Sequence, residues 1–185
     1  MKREHTVGFL GPVGTYSDLC AQKLYPHTLL KPYETVDDLI DGLRHESVDI
    51  AIVPIHNSIA GTMQHHLDLA MHPDLEVIQT VDLPIHHMLL STEERLSDIH
   101  MLYSHAHIFA QCEKWIAKHL PHARCISARS CTEALQHIEP QTGYIASREA
   151  AEEYHIPILI EDIEDHQDNI TTFYALARKN PLEKA

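Results

Sequence analysis

Short apolar segments alternate with amphipathic stretches along most of the chain. Residues 6–10 are predicted to form a strand, and residues 17–25 a helix that Ser17 caps. Residues 48–55 are predicted to form a buried strand, followed by a helix over residues 58–71. This alternation is typical of βα units around a largely parallel sheet, so the pattern predicts an α/β fold.

The alternation repeats after residues 77–90, a long apolar stretch that we expect to cross between two lobes. A chain that crosses near Thr80 and returns near Asp162 forms two lobes with a ligand cleft between them. We predict lobe 1 from residues 1–79 and 162–185, and lobe 2 from residues 80–161. A further helix is predicted to begin after Thr35, and three others to cover residues 108–119, 131–138 and 148–154. The other predicted strands cover residues 100–103, 123–127, 144–146 and 171–177.

Charge and apolar content limit the classes of partner. Fourteen Lys and Arg against 27 Asp and Glu give a net charge of −13, whereas nucleic acids and anionic membranes bind basic surfaces. We find no signal-peptide pattern and no apolar run long enough to span a bilayer. The four cysteines form no Cys-x-x-Cys pair, which favours reduced, buried thiols. We therefore expect a cytoplasmic protein with no nucleic-acid or membrane partner.

Seventeen histidines are many for this length. They include the pairs His65-His66 and His86-His87, and His105 with His107. None of these groups has a second motif at ligand spacing, so we expect no metal and no cofactor. We interpret most of the histidines as solvated.

Polar residues follow two predicted strands. Residues 11–17, Gly-Pro-Val-Gly-Thr-Tyr-Ser, form a turn whose backbone N–H groups could bind a carboxylate; an ordinary βα turn fits equally well. Thr15 and Ser17 are the candidate ligand contacts there. Asn57 and Ser58 could cap a helix or donate hydrogen bonds to a ligand. The residues alone leave both alternatives open.

Together with two later motifs, these residues resemble the catalytic domain of prephenate dehydratase over nearly the whole chain. The family's Asn-x-Thr-Arg-Phe motif matches at Asn169, Thr171 and Phe173, but Thr172 replaces its arginine. The Pro-Ile-Glu-Asn-Ser motif matches except that its glutamate is His56. The third motif, Ser-His-Pro-Gln, is partly kept: it matches at Ser104 and His105, reads Ala106 and His107 at its last two positions, and is followed by the matching Gln111 and Cys112.

The resemblance implies a two-lobed fold similar to type II periplasmic binding proteins. It also implies decarboxylation of prephenate with loss of its ring hydroxyl, giving phenylpyruvate in phenylalanine biosynthesis. Thr171 is the expected hydroxyl donor, Asn57 and Ser58 orient the substrate, and His56 or His105 completes a proton relay. The expected substrate contacts are Thr15, Ser17, Ser104, His105, His107, Gln111, Asn169, Thr172 and Phe173.

The missing motif arginine needs a replacement if a carboxylate is to be bound there, because a charge-assisted pair contributes about 1.5 to 3 kcal/mol. We expect Arg129, beside Ser130, to supply this cation; His56 is the other candidate. The resemblance further implies a homodimer. Neither the family's usual ACT regulatory domain nor a fused chorismate mutase domain is expected.

Three alternatives remain at this point. The substrate could be arogenate, the amino analogue of prephenate. The protein could decarboxylate prephenate without aromatising it, although the retained Thr171 favours the dehydratase. A chain without catalytic activity could serve as a two-lobed binding or sensor protein.

Overall fold

The computed structural model describes residues 5–128, 135 and 138–179. The chain divides into two compact units, unit 1 from Met1–Pro84 with Asn169–Ala185, and unit 2 from Ile85–Asp168. These changes of unit come a few residues after the predicted crossings near Thr80 and Asp162. The first shift arises because one strand of unit 1 continues through Pro84. The predicted cleft stays a prediction.

Unit 1 contains a mixed sheet and three helices. The strands are β1 (Thr6–Leu10), β2 (Leu29–Tyr33), β3 (Ile50–Asn57), β4 (Gly61–Thr62), β5 (Leu75–Pro84) and β11 (Ile170–Arg178); the helices are α1 (Tyr16–Leu24), α2 (Val36–Arg44) and α3 (Gln64–Ala70). The strand order is β2-β1-β3-β11-β5, with β4 paired to the end of β3. β1 is parallel to β2 and β3, whereas β11 is antiparallel to β3 and β5.

Two apolar clusters pack on the unit 1 sheet. Ala51 and Val53 of β3 pack with α2 and α3, whereas Ile52 packs with α1. This alternation is what a strand buried on both faces produces. Phe173 belongs to the cluster against α1 and is 2% exposed. Its position therefore assigns it to the core and gives no support to the predicted substrate contact.

The N-terminus of α1 corrects one prediction. Thr15, and not Ser17, is the N-cap, because its hydroxyl accepts a hydrogen bond from the Asp18 N–H at 3.3 Å. The Asp18 carboxylate accepts in turn from the Gly14 N–H at 2.9 Å. This reciprocal arrangement resembles a capping box, and the cap lies two residues earlier than predicted. The cap at Thr35, with two aspartates in the first turn of α2, is confirmed.

The helix predicted over residues 58–71 is wrong in its first half. Asn57 Oδ1 accepts hydrogen bonds from the backbone N–H groups of Ile59 and Ala60, at 3.0 and 2.9 Å. This side-chain turn, followed by Gly61 at φ +87°, directs the chain back into β4. Helix α3 begins only at Gln64. Local helical periodicity is overridden by one asparagine side chain.

Unit 2 has a second mixed sheet. Its strands are β6 (Met88–Leu90), β7 (Met101–Ser104), β8 (Arg124–Ser127), β9 (Thr142–Ala146) and β10 (Ile158–Ile160); the described helices are α4 (Ala106–Gln111), α5 (Glu113–His119) and α6 (Arg148–Glu153), with a 3₁₀ turn at Leu96–Asp98. The strand order is β10-β6-β9-β7-β8. β7 is parallel to β8 and β9, and β6 is antiparallel to β9 and β10.

The helix predicted over residues 108–119 is two helices that meet at Cys112. The Asp165 carboxylate accepts from the N–H groups of Lys114 and Trp115, at 2.9 and 3.0 Å, and so caps the second helix. The predicted helix 131–138 lies largely outside the described residues. The α/β class with two mixed sheets is confirmed, with more antiparallel pairing than we predicted.

The cysteines differ in their environments. Cys20 and Cys112 are buried as predicted, and burial raises their pKa values to about 11 and about 12. Cys125 is exposed on β8, which contradicts the prediction of a buried thiol there. Within the described part of the chain, no helix is long and apolar enough to cross a bilayer.

Candidate active site

Asn57 is the centre of a buried polar group in unit 1. Its amide nitrogen donates to Asn169 Oδ1 at 2.7 Å and to Thr171 Oγ1 at 2.9 Å, with a longer contact of 3.3 Å to the Ile170 carbonyl. Its Oδ1 accepts the two N–H groups of the following turn. Asn57, Asn169 and Thr171 are 5%, 0% and 7% exposed. This group therefore joins the end of β3 to the start of β11.

A bulge in β3 makes this contact possible. Thr172 pairs with His56, but Phe173 pairs with Pro54, so Ile55 is an extra residue in β3. Ala51, Val53 and Ile55 all pack with α2 and α3, and simple alternation would direct Asn57 the same way. The bulge shifts the phase, so Asn57 pairs with Thr171 on the face of Phe173.

The Thr171 hydroxyl has capacity left for a ligand. Its oxygen accepts from Asn57, and no described residue accepts its proton. The adjacent backbone is held by Ser58, whose N–H donates to the Ile170 carbonyl at 2.8 Å and whose Oγ accepts from the Ile170 N–H at 2.9 Å. Ser58 thus fixes the start of β11 and is not a helix cap. The arrangement presents an oriented hydroxyl donor.

The next row of residues across the same strands is mostly exposed, with Thr172 half-buried. Thr62, His56, Thr172 and Asp82 pair in register on β4, β3, β11 and β5. Thr172 Oγ1 donates to Asp82 Oδ1 at 2.6 Å, and His56 Nδ1 lies 3.0 Å from Thr62 Oγ1. Successive rows of a sheet point to opposite faces. His56 therefore does not join Thr171 in a proton relay.

Thr15 and Ser17 are placed by the amino end of α1. The Thr15 hydroxyl donates to the Leu10 carbonyl at 3.2 Å in addition to capping the helix. Ser17 is 6% exposed on the helix. Because β1 and β3 are parallel, the turn after β1 and the turn after β3 lie at the same edge of the sheet. The structure thus assigns Thr15 a capping role that sequence reasoning did not foresee.

In unit 2 the predicted residues occupy the end of β7 and helix α4. Ser104 is buried, and its hydroxyl donates to the Ile145 carbonyl at 2.8 Å. His105 is the N-cap residue of α4, and its ring stacks on that of His107 with centroids 5.4 Å apart. Partial desolvation lowers the pKa of His105 and of His107, and the charges of His105 and His87 lower the pKa of His107 further.

A network around His87 was missed by sequence reasoning. His87 is 4% exposed, so it is an exception among histidines that we interpreted as mostly solvated. Its Nε2 lies 2.7 Å from Gln111 Oε1, and its N–H donates to the buried Glu164 carboxylate at 2.8 Å. The available signal was a histidine inside the apolar stretch 85–90. Arg129 and Ser130 lie outside the described residues.

One group of side chains in unit 2 has metal-ligating types. His86 Nδ1 lies 2.8 Å from Glu164 Oε1 and 3.5 Å from Asp162 Oδ1, and the three ligand atoms lie within 4.8 Å of one another. A nitrogen with two carboxylates could hold a divalent cation. His86 already pairs with Glu164, however, so the arrangement is equally explained as an ion-paired histidine.

Comparison with known proteins supports the sequence resemblance. The family model for prephenate dehydratase matches residues 7–181. The chain belongs to the prephenate dehydratase family. The prephenate dehydratase of Bacillus subtilis is 34% identical over 92% of this chain and 63% of its own length. Arogenate dehydratase 2 of Petunia hybrida is 33% identical over 94% of this chain and 45% of its own length.

Solved structures of the family have the same fold. The prephenate dehydratase of Arthrobacter aurescens, in complex with L-Phe, has a TM-score of 0.85 and 29% identity, over 95% of this chain and 61% of that one. A periplasmic substrate-binding protein from Coxiella burnetii has a TM-score of 0.52 at 10% identity, over 97% of this chain and 87% of that one, which shows likeness of fold alone. The chain spans about half the length of several of the curated relatives it matches.

Proposed function

We propose that this chain catalyses the decarboxylating dehydration of prephenate to phenylpyruvate, a carbon–oxygen lyase reaction. The observation that carries the proposal is the Thr171 hydroxyl, which is buried, fixed through its oxygen by Asn57, and without an acceptor for its proton among the described residues. Family membership supplies the substrate class, and the geometry supplies a donor of the kind that a departing hydroxyl needs.

The chemistry requires two bonds to break. The bond to the ring carboxylate breaks and releases carbon dioxide, and its electron pair enters the ring as the aromatic system forms. The ring C–O bond breaks, and the hydroxyl leaves with its electron pair and a proton as water. Thr171 donates a hydrogen bond to that departing oxygen. A threonine hydroxyl is a weak acid, so we assign it positioning and charge stabilisation, with the proton coming from solvent or a relay group.

Asn57 holds Thr171 ready for this role. Its amide donates to Thr171 Oγ1, so that oxygen is an acceptor in the resting site and its own proton is directed elsewhere. Asn169 is fully buried and accepts from the same amide at 2.7 Å, which fixes the amide orientation. The pre-set orientation avoids an entropy cost at the moment of reaction.

Arogenate is a second candidate substrate, and Asp82 favours it. Where the family motif has an arginine, Thr172 donates to the exposed Asp82 carboxylate at 2.6 Å. Among the described residues, no Lys or Arg forms an ion pair with Asp82. A carboxylate at this position suits a substrate ammonium group better than a substrate carboxylate. One of the matched relatives is named arogenate dehydratase.

Purified protein mixed separately with prephenate and arogenate tests both candidates. Phenylpyruvate from prephenate, lost in Thr171→Val and kept in Thr172→Val, is the expected result. Phenylalanine from arogenate at higher kcat/KM would establish the second substrate. A non-aromatic decarboxylated product would move the protein to the decarboxylases. Unchanged substrates would refute a dehydratase and leave a binding protein.

We also propose that the protein is a cytoplasmic homodimer. The dimer is supported by the family resemblance alone, and the location by the lack of a Cys-x-x-Cys pair, which favours reduced thiols. Light scattering of the purified protein is expected to give twice the mass of one chain, and a monomer over the working concentration range would refute the dimer. A fluorescent fusion that leaves the cytoplasm would refute the location.

A further inference from the structure

His87 is held in place on both sides of its backbone. Its N–H donates to Glu164 Oε2 at 2.8 Å, and its carbonyl accepts from the Ile163 N–H at 2.9 Å. The second carboxylate oxygen of Glu164 lies 2.8 Å from His86 Nδ1. The His87 side chain is 4% exposed, so packing and not solvent sets the direction of its ring.

Gln111 is the group that this ring meets. Its Oε1 lies 2.7 Å from His87 Nε2, and its backbone carbonyl accepts from the Asp165 N–H at 2.7 Å. A glutamine amide has an acceptor on one branch and two donors on the other. When Oε1 faces His87, the amide NH₂ is directed away from the ring.

The partners of the His87 ring decide its tautomer. Nδ1 is buried and has no hydrogen-bond partner among the described residues. A proton on Nδ1 would be a buried, unsatisfied donor, whereas a proton on Nε2 is accepted by Gln111. Burial lowers the pKa of His87, against the opposing effects of Gln111 and Glu164, and His86 lowers it further. The ring is therefore neutral near pH 7, with its proton on Nε2.

We propose that His87 is a positioning residue, whose neutral ring donates from Nε2 to Gln111 and so holds the Gln111 amide NH₂ toward an anionic oxygen of the substrate. The inference rests on the proposed function and on the expected contact of Gln111 with the substrate. Loss of this hydrogen bond removes the donor that favours this amide orientation over the flipped one, which presents the oxygen. That oxygen would repel a carboxylate, so the loss falls on binding more than on the chemical step.

Two variants separate positioning from packing. His87→Gln places an amide nitrogen near the position of Nε2, whereas His87→Asn places it near Nδ1. With prephenate, or with arogenate if that is the better substrate, His87→Asn should raise KM about tenfold and leave kcat within about threefold. His87→Gln should stay near the wild-type KM. Equal KM values for the two variants, or a loss confined to kcat, would overturn the proposal.

A double-mutant cycle tests the partner. If His87 acts through Gln111, then His87→Asn combined with Gln111→Ala should bind substrate no more weakly than Gln111→Ala alone. Losses that simply add would show that His87 acts elsewhere. Urea unfolding of each variant confirms that the kinetics report folded protein.

The tautomer can be measured without turnover. Nitrogen-15 NMR of the wild-type protein should show His87 protonated at Nε2 and bare at Nδ1 between about pH 6.5 and 8. A proton on Nδ1 would contradict the proposal directly. If neither substrate is converted, the proposed function is refuted but the positioning role of His87 is not. Calorimetry of prephenate binding to the same variants then tests that role. Unequal affinities of His87→Gln and His87→Asn support it, and equal affinities refute it.

Discussion

Two neighbouring rows of residues cross the same end of the unit 1 sheet, and they have opposite character. One row pairs Asn57 with Thr171; both are buried and joined by a hydrogen bond of 2.9 Å. The next row pairs His56 with Thr172 and reaches the exposed Asp82. The residues of the first row match the family motifs, and the two motif positions of the second row depart from them. The side chains of the buried row are held by hydrogen bonds to one another, whereas water can compete for the hydrogen bonds of the exposed row.

This contrast explains why the two departures occur together. His56 replaces a motif glutamate and Thr172 a motif arginine, and the structure shows that these positions are cross-strand partners. Opposite charges on directly paired strands stabilise each other, so replacing one alone would leave the other unpaired. The two changes together remove a potential ion pair and leave Asp82 as the charged group of that row.

The largest expected effect comes from breaking the buried row at its hydroxyl. Thr171→Val keeps the shape of the side chain and removes the donor, so kcat should fall about 100-fold or more. Thr172→Val is the matched control one row away and should change kcat by less than about threefold. Phenylpyruvate formation from prephenate measures both. Similar losses in the two variants would show that the rows do not differ in function.

The second effect is on stability. Asn57→Ala removes one donor to the Asn169 oxygen and the side-chain acceptor of the turn N–H groups, and should lower the free energy of unfolding by about 2 kcal/mol. His56→Ala should change it by less than about 0.5 kcal/mol, because that side chain is exposed. Urea unfolding followed by circular dichroism gives both values. A large loss for His56→Ala would mean that the exposed row also stabilises the fold.

The third test restores the family pattern in the exposed row. The double variant His56→Glu with Thr172→Arg brings back a cation beside Asp82, and should lower KM for prephenate about tenfold if that cation binds a substrate carboxylate. The KM for arogenate should change less. An unchanged KM for both substrates would place this row outside substrate binding.

The smallest expected effect is a pH dependence. The Asn57–Asn169–Thr171 group contains no titratable side chain, so the pH response should come from groups such as His87, which faces Glu164, His86 and His107. Burial lowers the pKa of His87 below its ordinary 6.5, so the folded state favours the neutral ring. Its contribution to stability is complete above the ordinary pKa and is lost as pH falls through the lowered one.

The measurement is the free energy of unfolding from about pH 7.5 to 5, in wild type and in His87→Gln. Wild type should lose more stability toward low pH than the variant, which cannot titrate at this position. Parallel curves would show that burial of His87 does not influence stability through its charge.

Much of the fold could be predicted because its causes are local. Residues 6–10 form β1 as predicted, and the cap at Thr35 starts α2. Strands β2, β4 and β10 were missed, because they are short or partly exposed and carry little apolar alternation. The predicted site residues in unit 2 show that contacts between distant residues are missed in the same way. Gln111 was identified by its motif, whereas its hydrogen-bond partner His87 lies outside that motif.

The sequence by itself determined the α/β class, the family and the polar residues that end the strands, since periodicity, capping and motif order depend on neighbouring residues. Only the tertiary structure decided which of those residues meet. The bulge at Ile55 brings Asn57 to Thr171 and directs His56 to the other face, and the fold encloses His87 beside Gln111 and Glu164. Strand register and burial depend on contacts between distant parts of the chain, and no local pattern encodes them.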